Sequence, residues 1–334
     1  MQAMLWEHLP GNQVRCRLCS HGCQLKRGQK GLCGVRANKG GDMITLVGNV
    51  VSSAQLDPVE KKPLYHYQPG SKTYSVGSVG CNFHCRFCQN NQISQMPEDG
   101  IVSGRRIIPT NLWQTALELK ARSLSFTYNE PTVFFEQIFE AAGQAKAHGL
   151  GIILVSNGFM TGDCLHALQR RVDAANIDLK SFNDSFYREY CGGRLQPVLD
   201  NLKAIKALGW WLEVTTLIIP GCNDSPEELR EIAGFIRNEL GPDTPWHVTA
   251  FRGAYRMTDH PAPRLAQMEA AWSIGREAGL RYVYIGNMPS LLGGTTFCPQ
   301  CGAVVIERQS WQIKRRGKPG QCPSCKAQLA GVWA

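Results

Sequence analysis

Seven short apolar runs alternate with helical patterns between residues 71 and 290. In chain order, the predicted strands are Thr73–Val79, Leu124–Thr127, Gly151–Val155, Ala174–Leu179, Leu212–Ile219, Trp246–Phe251 and Arg281–Ile285. Near-continuous apolar strands that alternate with helices are typical of a parallel sheet with both faces covered. Six or seven such units in a row predict an α/β fold, a partial TIM-type (β/α)6 barrel.

The clearest helix begins after Ser225, which is predicted to be its N-cap. Pro226 takes the first helical position, and Glu228 completes a capping box with Ser225. Apolar residues then repeat at helical spacing up to Gly241. A second helix is predicted from Val198 to Leu208, at the same apolar spacing.

Two regions with a different sequence pattern flank the segment of alternating strands and helices. Residues 1–70 contain cysteines, short β-prone runs, and a polar stretch from Asp57 to Gly70 that is expected to be irregular. Residues 291–334 contain further paired cysteines. The sequence thus predicts a Cys-rich N-terminal region (1–70), a barrel (71–290) and a small C-terminal module (291–334).

Composition excludes several classes of protein. Hydrophobic residues make up 43% and charged residues 19%, so the chain can bury a core and is not globally disordered. No apolar run approaches the roughly 18 residues of a membrane span, and Met1–Pro10 lacks the pattern of a signal peptide. The expected compartment is therefore the cytoplasm, with no membrane partner.

Cysteine usage is the most unusual property of the chain. Eleven of the 14 cysteines fall into three tight groups: 16/19/23/33, 81/85/88 and 298/301/322/325. In a reducing compartment, clustered thiols indicate metal ligands rather than disulfides. Cys164, Cys191 and Cys222 stand apart and are expected to be ordinary thiols.

The positive net charge is concentrated in the two terminal regions that contain the outer cysteine groups. The chain carries +9, of which residues 1–40 contribute +6 and residues 298–334 contribute +5. Basic ends could bind nucleic acid, but they also offset the negative charge of four thiolates around a divalent metal. The second explanation is favoured, because no aromatic-rich single-strand motif accompanies the charge.

The two outer groups suit different metals. Cys298, Cys301, Cys322 and Cys325 form two C-x2-C pairs with the spacing of a zinc ribbon, although one iron of rubredoxin type would use the same ligands. Cys16, Cys19, Cys23 and Cys33 suit either an auxiliary iron–sulfur cluster or a four-thiolate zinc site, with His21 as an additional ligand.

The central group, C-x3-C-x2-C, follows the first barrel strand. Three thiolates on one loop can hold three irons of a [4Fe-4S] cluster and leave the fourth iron open; a zinc site completed by Cys222 or His84 is the alternative. Other polar residues also stand at predicted strand ends, where barrels collect function. They are Tyr128–Pro131, Ser156–Gly158, Asp178–Lys180 and Pro220–Asp224.

These motifs resemble the radical S-adenosylmethionine superfamily, in particular its glycyl-radical-activase-like branch and the radical SAM member of the AmmeMemoRadiSam system. The resemblance covers nearly the whole chain. Besides the cysteine groups it includes the stretches 57–63, 127–131, 178–180, 219–224 and 284–287.

The resemblance implies a cofactor and a set of site residues. Cys81, Cys85 and Cys88 would hold the catalytic [4Fe-4S] cluster, whose electron cleaves S-adenosyl-L-methionine to methionine and a 5′-deoxyadenosyl radical. Glu130 matches the glutamate of the superfamily's Gly-Gly-Glu motif, although Tyr128 and Asn129 replace both glycines. The further cofactor contacts that the resemblance implies are Asn157, Asp178, Lys180 and His247.

The leading hypothesis is thus an activase-like oxidoreductase that abstracts hydrogen from a protein or small-molecule substrate. Implied partners are an electron donor of flavodoxin or ferredoxin type and, from the resemblance alone, MEMO-like and AMMECR-like proteins. Two alternatives remain open. One is a two-cluster oxidase or modifying enzyme that uses the N-terminal cysteine group, and the other is a zinc-rich nucleic-acid-binding module.

Overall fold

An eight-stranded sheet forms the centre of the computed structural model, which describes residues 1–95, 101–290, 292–309 and 311–333. In chain order, the strands are β1 (Trp6–Leu9), β2 (Gln13–Cys16), β3 (Gln24–Leu25), β4 (Arg36–Lys39), β5 (Asp42–Thr45), β6 (Val50–Val51), β7 (Ser53–Pro58), β8 (Lys72–Gly77), β9 (Arg105–Arg106), β10 (Ser123–Phe126), β11 (Gly151–Ser156), β12 (Ala174–Asp178), β13 (Trp211–Ile218), β14 (Trp246–Ala250), β15 (Val283–Gly286), β16 (Thr296–Phe297), β17 (Val304–Gln309) and β18 (Gln312–Arg315).

The helices lie mostly between the strands of this sheet. They are α1 (Asn91–Ser94), α2 (Leu112–Glu118), α3 (Phe135–Ala147), α4 (Gly162–Leu168), α5 (Asp184–Phe186), α6 (Leu195–Ala207), α7 (Pro226–Phe235) and α8 (Leu265–Glu277). Single π-helical segments, Tyr187–Cys191 and Ile236–Leu240, extend α5 and α7. Among the described residues, the helices are too short or too polar to cross a membrane.

The sheet order is β7-β8-β10-β11-β12-β13-β14-β15, which apart from β9 is chain order. All seven strands from β8 to β15 in this sheet are parallel, and β7 pairs antiparallel with β8 at one edge. The seven predicted strands are therefore confirmed. A helix separates each pair of consecutive parallel strands, so six strand–helix units precede β15. A sheet wound in one direction keeps its helices on one side and brings all carboxyl strand ends to one rim.

The predicted α7 exists, but its capping box is only half formed. Ser225 Oγ accepts a hydrogen bond from the Glu228 backbone N–H at 3.2 Å, as an N-cap should. The Glu228 carboxylate does not return to Ser225. It accepts instead from Ser181 Oγ and from the Phe182 N–H, the latter at 2.9 Å. Glu228 thus ties α7 to the loop after β12, so the capping-box prediction was wrong in this half.

The N-terminal residues pack directly on the sheet. Strands β1, β2 and β3 form an antiparallel sheet, β4 and β5 form a hairpin, and β6 pairs with β9. Val14, Leu18 and Val35 are buried in the same apolar core as the helices and strands of the large sheet. The division of the chain at residue 70 stays a prediction.

The polar stretch from Asp57 to Gly70 is irregular, as expected, but most of it is buried. A 3-10 turn spans Val59–Lys61, and Lys62 and His66 are 2% and 0% exposed. The C-terminal sheet β16-β17-β18 covers this stretch: Arg308 donates to the Tyr65 carbonyl at 2.7 Å. Residues 57–70 therefore form a buried layer between the large sheet and the C-terminal module.

Candidate functional site

The three central cysteines lie on the loop that follows β8, at the rim formed by the carboxyl strand ends. Backbone bonds fix this loop, since His84 N–H donates to the Cys191 carbonyl at 2.8 Å and Gly80 N–H donates to the Ile93 carbonyl at 2.8 Å. Cys85 is buried, whereas Cys81 and Cys88 are half-buried. The loop thus presents three thiols from a fixed backbone.

The surroundings of these thiols suit a negatively charged sulfur cluster. Cys81 Sγ accepts from the Phe83 N–H at 3.3 Å, and Cys88 Sγ lies 3.1 Å from Ser94 Oγ. Burial, followed by the nearby Glu130 carboxylate, raises the pKa of Cys81 well above its ordinary value, and coordination to a metal favours the deprotonated thiolate. Asn82, the residue after Cys81, is buried, and its Nδ2 has no hydrogen-bond partner within the described chain. A buried N–H without an acceptor suits a site where a sulfur cluster supplies acceptors.

Glu130 and Asn157 connect the ends of β10 and β11. Glu130 Oε1 accepts from the Thr132 N–H at 3.0 Å, the Thr132 hydroxyl at 2.5 Å and the Ser156 hydroxyl at 2.8 Å. Its other oxygen, Oε2, accepts from the Asn157 N–H at 2.8 Å. Burial raises the pKa of Glu130, and these donors oppose that rise. Glu130 therefore holds the strand-end loop in place and keeps one lone pair, on Oε2, for a ligand.

Asn157 faces the cysteine loop. Its Nδ2 donates to Asn82 Oδ1 at 2.7 Å and lies 3.9 Å from Cys81 Sγ. Its own Oδ1 accepts from the Phe159 N–H, which fixes the amide orientation. The structure therefore brings Glu130 and Asn157 to the same side of the cysteine loop.

Asp178 and Lys180 lie at the end of β12, where Lys180 Nζ is 5.9 Å from the centre of the Phe87 ring on the cysteine loop. Lys180 Nζ and Asp178 Oδ2 are 2.8 Å apart. Burial alone would lower the pKa of Lys180, but the nearby Asp178 carboxylate holds it well above its usual range. A lysine that stays charged beside the cysteine loop can bind a carboxylate.

His247 does not join this group. It is the second residue of β14, near the amino end of that strand, and its Nε2 lies 2.6 Å from Glu213 Oε2. Glu213 also accepts from the Tyr65 and His66 backbone N–H groups, at 3.0 and 2.8 Å. This position does not favour the predicted cofactor contact. The sequence predicted the strand that carries His247, but it did not predict that Glu213 binds this histidine away from the carboxyl strand ends.

Sequence reasoning also missed the group that supports Tyr128. Tyr128 has φ +72°, a backbone conformation that favours the glycine of the superfamily motif. Its hydroxyl donates to Asp57 Oδ2 at 2.7 Å, and Lys61 and Lys62 each lie 2.8 Å from the same carboxylate. Burial alone would raise the pKa of Asp57, but the donors from Lys61, Lys62 and Tyr128 hold this pKa well below its usual range. The resemblance to the superfamily included the stretch 57–63, which contains Asp57, Lys61 and Lys62, but it indicated no role for these residues.

The C-terminal cysteines come together as a single site. Sγ–Sγ distances are 3.5 Å for Cys298–Cys325 and 3.6 Å for Cys301–Cys322, and all four ligand atoms lie within 4.8 Å of one another. A tetrahedral ion with metal–sulfur bonds of about 2.3 Å holds its sulfurs about 3.8 Å apart. The spacing therefore fits one ion.

Comparisons with known proteins agree with this arrangement. The radical SAM superfamily profile matches residues 75–236. An uncharacterised protein of Methanocaldococcus jannaschii is 40% identical over 325 residues, covering 97% of this chain and 96% of its own. The pyruvate formate-lyase-activating enzyme of Clostridium pasteurianum is 24% identical over 176 residues, 51% of this chain and 71% of that enzyme.

A further sequence relative and one solved structure are also similar to this chain. A putative glycyl-radical enzyme activating enzyme of M. jannaschii is 27% identical over 182 residues, covering 52% of this chain and 65% of its own. Streptococcus suis SuiB bound to S-adenosylmethionine shares the fold with a TM-score of 0.51 at 14% identity, over 69% of this chain and 53% of that one. The match with the family model shows that residues 75–236 form a radical SAM superfamily domain.

Proposed function

We propose that the protein is an enzyme that cleaves S-adenosyl-L-methionine reductively and uses the resulting radical to take a hydrogen atom from its substrate. The observation that carries the proposal is the position of Cys81, Cys85 and Cys88 on one fixed loop, with Asn157 Nδ2 3.9 Å from Cys81 Sγ and Lys180 Nζ 5.9 Å from the centre of the Phe87 ring. When bound, a [4Fe-4S] cluster on these thiols supplies the electron that yields methionine and the 5′-deoxyadenosyl radical.

The chain's own residues bind and orient the cofactor. Lys180 is positioned to bind the methionine carboxylate, and Oε2 of Glu130 has a free lone pair for the methionine ammonium. We assign the ribose contact to Asn157, whose N–H donates to Glu130. The unpartnered N–H of Asn82 would be available to a cluster sulfur. These assignments extend the resemblance to relatives that are named as activating enzymes.

The test removes the three thiols together. The Cys81/Cys85/Cys88→Ala variant, reconstituted anaerobically with iron and sulfide, is expected to lose about four irons and all production of 5′-deoxyadenosine with dithionite. Cys222→Ala is the matched control, since Cys222 belongs to none of the three cysteine groups. This variant should keep both the iron and the production of 5′-deoxyadenosine. Production of 5′-deoxyadenosine by the triple variant would refute the proposal.

We also propose zinc for the C-terminal site, because its sulfur spacing fits one ion and its two C-x2-C pairs suit a closed four-thiolate shell. Elemental analysis of protein purified without added metal should find about one zinc per chain that depends on Cys301. Iron in place of zinc would indicate a rubredoxin-type site instead.

The substrate class that we propose is a hydrogen donor of the activase type, a protein or small molecule. The predicted MEMO-like and AMMECR-like partners belong to the same proposal. Co-purification of these proteins with the tagged chain, and deuterium transfer from a labelled partner into 5′-deoxyadenosine, would test it. Absence of deuterium in the product would exclude the labelled partner as the substrate.

A further inference from the structure

The N-terminal cysteines line a cavity of their own. Cys16, Cys19, Cys23 and Cys33 all face it, and the remaining walls are mostly apolar, from Leu18, Leu25, Leu32 and Val133. In the described ranges, these four thiols do not meet the single-ion spacing found at the C-terminal site. A four-iron cubane places an iron under each thiolate and so holds the sulfurs farther apart than one shared ion does. The geometry therefore favours a cluster over zinc.

Arg36 gives an independent indication of what the cavity holds. The side chain lines the cavity and is 1% exposed. Its Nη2 donates to Glu136 Oε1 at 3.1 Å, but Nε and Nη1 are buried and find no partner in the described part of the chain. Buried guanidinium N–H groups without acceptors are costly. Bridging sulfides and thiolates of an anionic cluster would accept these hydrogen bonds.

This cavity abuts the radical-forming loop at three points. His21 Nε2 lies 2.7 Å from the carbonyl oxygen of Asn82, the residue after Cys81, and His84 Nε2 lies 3.2 Å from the Leu32 carbonyl oxygen. Gly80, with φ +91°, lies so close to the Cys33 carbonyl that a Cβ there would come within 2.7 Å of it. Only glycine allows this approach. The two cysteine groups are thus joined by two histidine contacts and one backbone contact.

The segment that joins two lining residues of the cavity, Leu25 and Gly31, is basic and exposed, since it carries Lys26, Arg27 and Lys30. Leu32 also lines the cavity and is 55% exposed, so this part of the cavity borders the surface. An acidic one-electron carrier protein matches this face in charge. The cavity therefore lies between a surface suited to a donor and the loop that needs the electron.

From these contacts we propose that Cys16, Cys19, Cys23 and Cys33 hold a second [4Fe-4S] cluster that receives electrons from an acidic carrier protein and passes them to the cluster on Cys81, Cys85 and Cys88. One electron leaves the reduced carrier, passes through the second cluster and then the first, and breaks the carbon–sulfur bond of S-adenosylmethionine. Methionine leaves as a neutral thioether, and no proton is consumed. The role as a relay rests on the function proposed above; the cluster itself does not.

The first experiment tests the cluster. The Cys81/Cys85/Cys88→Ala variant should retain about four irons and four sulfides per chain in its N-terminal group. Adding Cys23→Ser should remove them, whereas adding Cys164→Ala, a buried thiol outside the cavity, should not. Zinc in place of iron, or iron that does not depend on Cys23, would overturn the proposal.

Arg36 provides a spectroscopic readout in the same triple variant. Arg36→Lys keeps the charge and removes the planar N–H donors, so the reduction potential of the second cluster should become more negative. An unchanged potential in an iron-loaded Arg36→Lys variant would show that Arg36 does not contact a cluster.

The second experiment tests the relay. In Cys23→Ser with the catalytic cysteines intact, 5′-deoxyadenosine formation driven by reduced flavodoxin should be lost, whereas formation driven by dithionite should be retained. Equal activity of Cys23→Ser and wild type with flavodoxin would refute the relay. Wild-type protein that is inactive with dithionite would instead refute the proposed function, so the two failures can be distinguished.

Discussion

Replacing Glu130 by Gln tests how far a single carboxylate serves both the fold and the cofactor. The carboxylate accepts four hydrogen bonds, three on Oε1 and one on Oε2, all from neutral donors. An amide has a single acceptor oxygen. If that oxygen keeps the three donors of Oε1, the NH2 group must face the Asn157 N–H, and one hydrogen bond is replaced by a repulsive contact.

The size of the effect follows from the bond that is lost. A hydrogen bond to a charged group contributes about 1.5–3 kcal/mol. Glu130 is 3% exposed, so solvent does not screen this bond. Part of the loss is offset, because burial disfavours the charged carboxylate and raises its pKa. We expect a net destabilisation of about 2 kcal/mol, which lowers Tm by about 3 °C in a chain of this size.

The assay compares thermal unfolding, cofactor affinity and iron content of the same variant. Affinity for S-adenosylmethionine should fall on the order of 10- to 150-fold, since both the ammonium contact and the position of Asn157 depend on Glu130. Iron content should not change. Glu227→Gln is the control, because the Glu227 side chain is 79% exposed and its ion pair with Arg230 contributes little to stability.

Two results would refute the reasoning. An unchanged Tm would show that the four donors do not stabilise the strand-end loop. A lower Tm with unchanged cofactor affinity would show that Glu130 has only a structural role.

Three further predictions concern the buried layer and the C-terminal module. Burial lowers the pKa of His66 to about 4, whereas the pKa in the unfolded chain is about 6.5. Neutral His66 therefore contributes about 3 kcal/mol to the free energy of unfolding above pH 6.5, and this contribution is lost as the pH falls toward 4. Urea unfolding at pH 7 and pH 5 should show this slope, and His66→Gln should flatten it. Arg308→Met leaves Glu60 buried without its nearby cation (3.9 Å) and should cost about 3–5 kcal/mol in urea unfolding, with partial recovery on adding Glu60→Gln. A zinc chelator should remove the C-terminal metal and increase hydrogen exchange in β16–β18 before the large sheet; simultaneous exchange would contradict a locally folded module.

The sequence predicted those features that depend on local pattern. Alternation of apolar strands and helices located all seven parallel strands, and cysteine spacing separated the three thiol groups. It failed where a partner lies far along the chain. Glu228 bonds at residues 181–182 rather than at its own helix start, and His247 pairs with Glu213 on the neighbouring strand. Periodicity gives the face of a strand but not the neighbour that a charged side chain will meet.

The buried layer at residues 57–70 has a consequence for synthesis of the chain. His66 Nδ1 lies 2.7 Å from the Ala330 carbonyl, across 264 residues. At about 5–20 residues per second, a ribosome needs about 13 to 53 s to translate that separation. Until then, the C-terminal module cannot cover the aromatic and charged side chains of residues 57–70. We expect the nascent chain to depend on chaperones during this interval and to finish folding only after release.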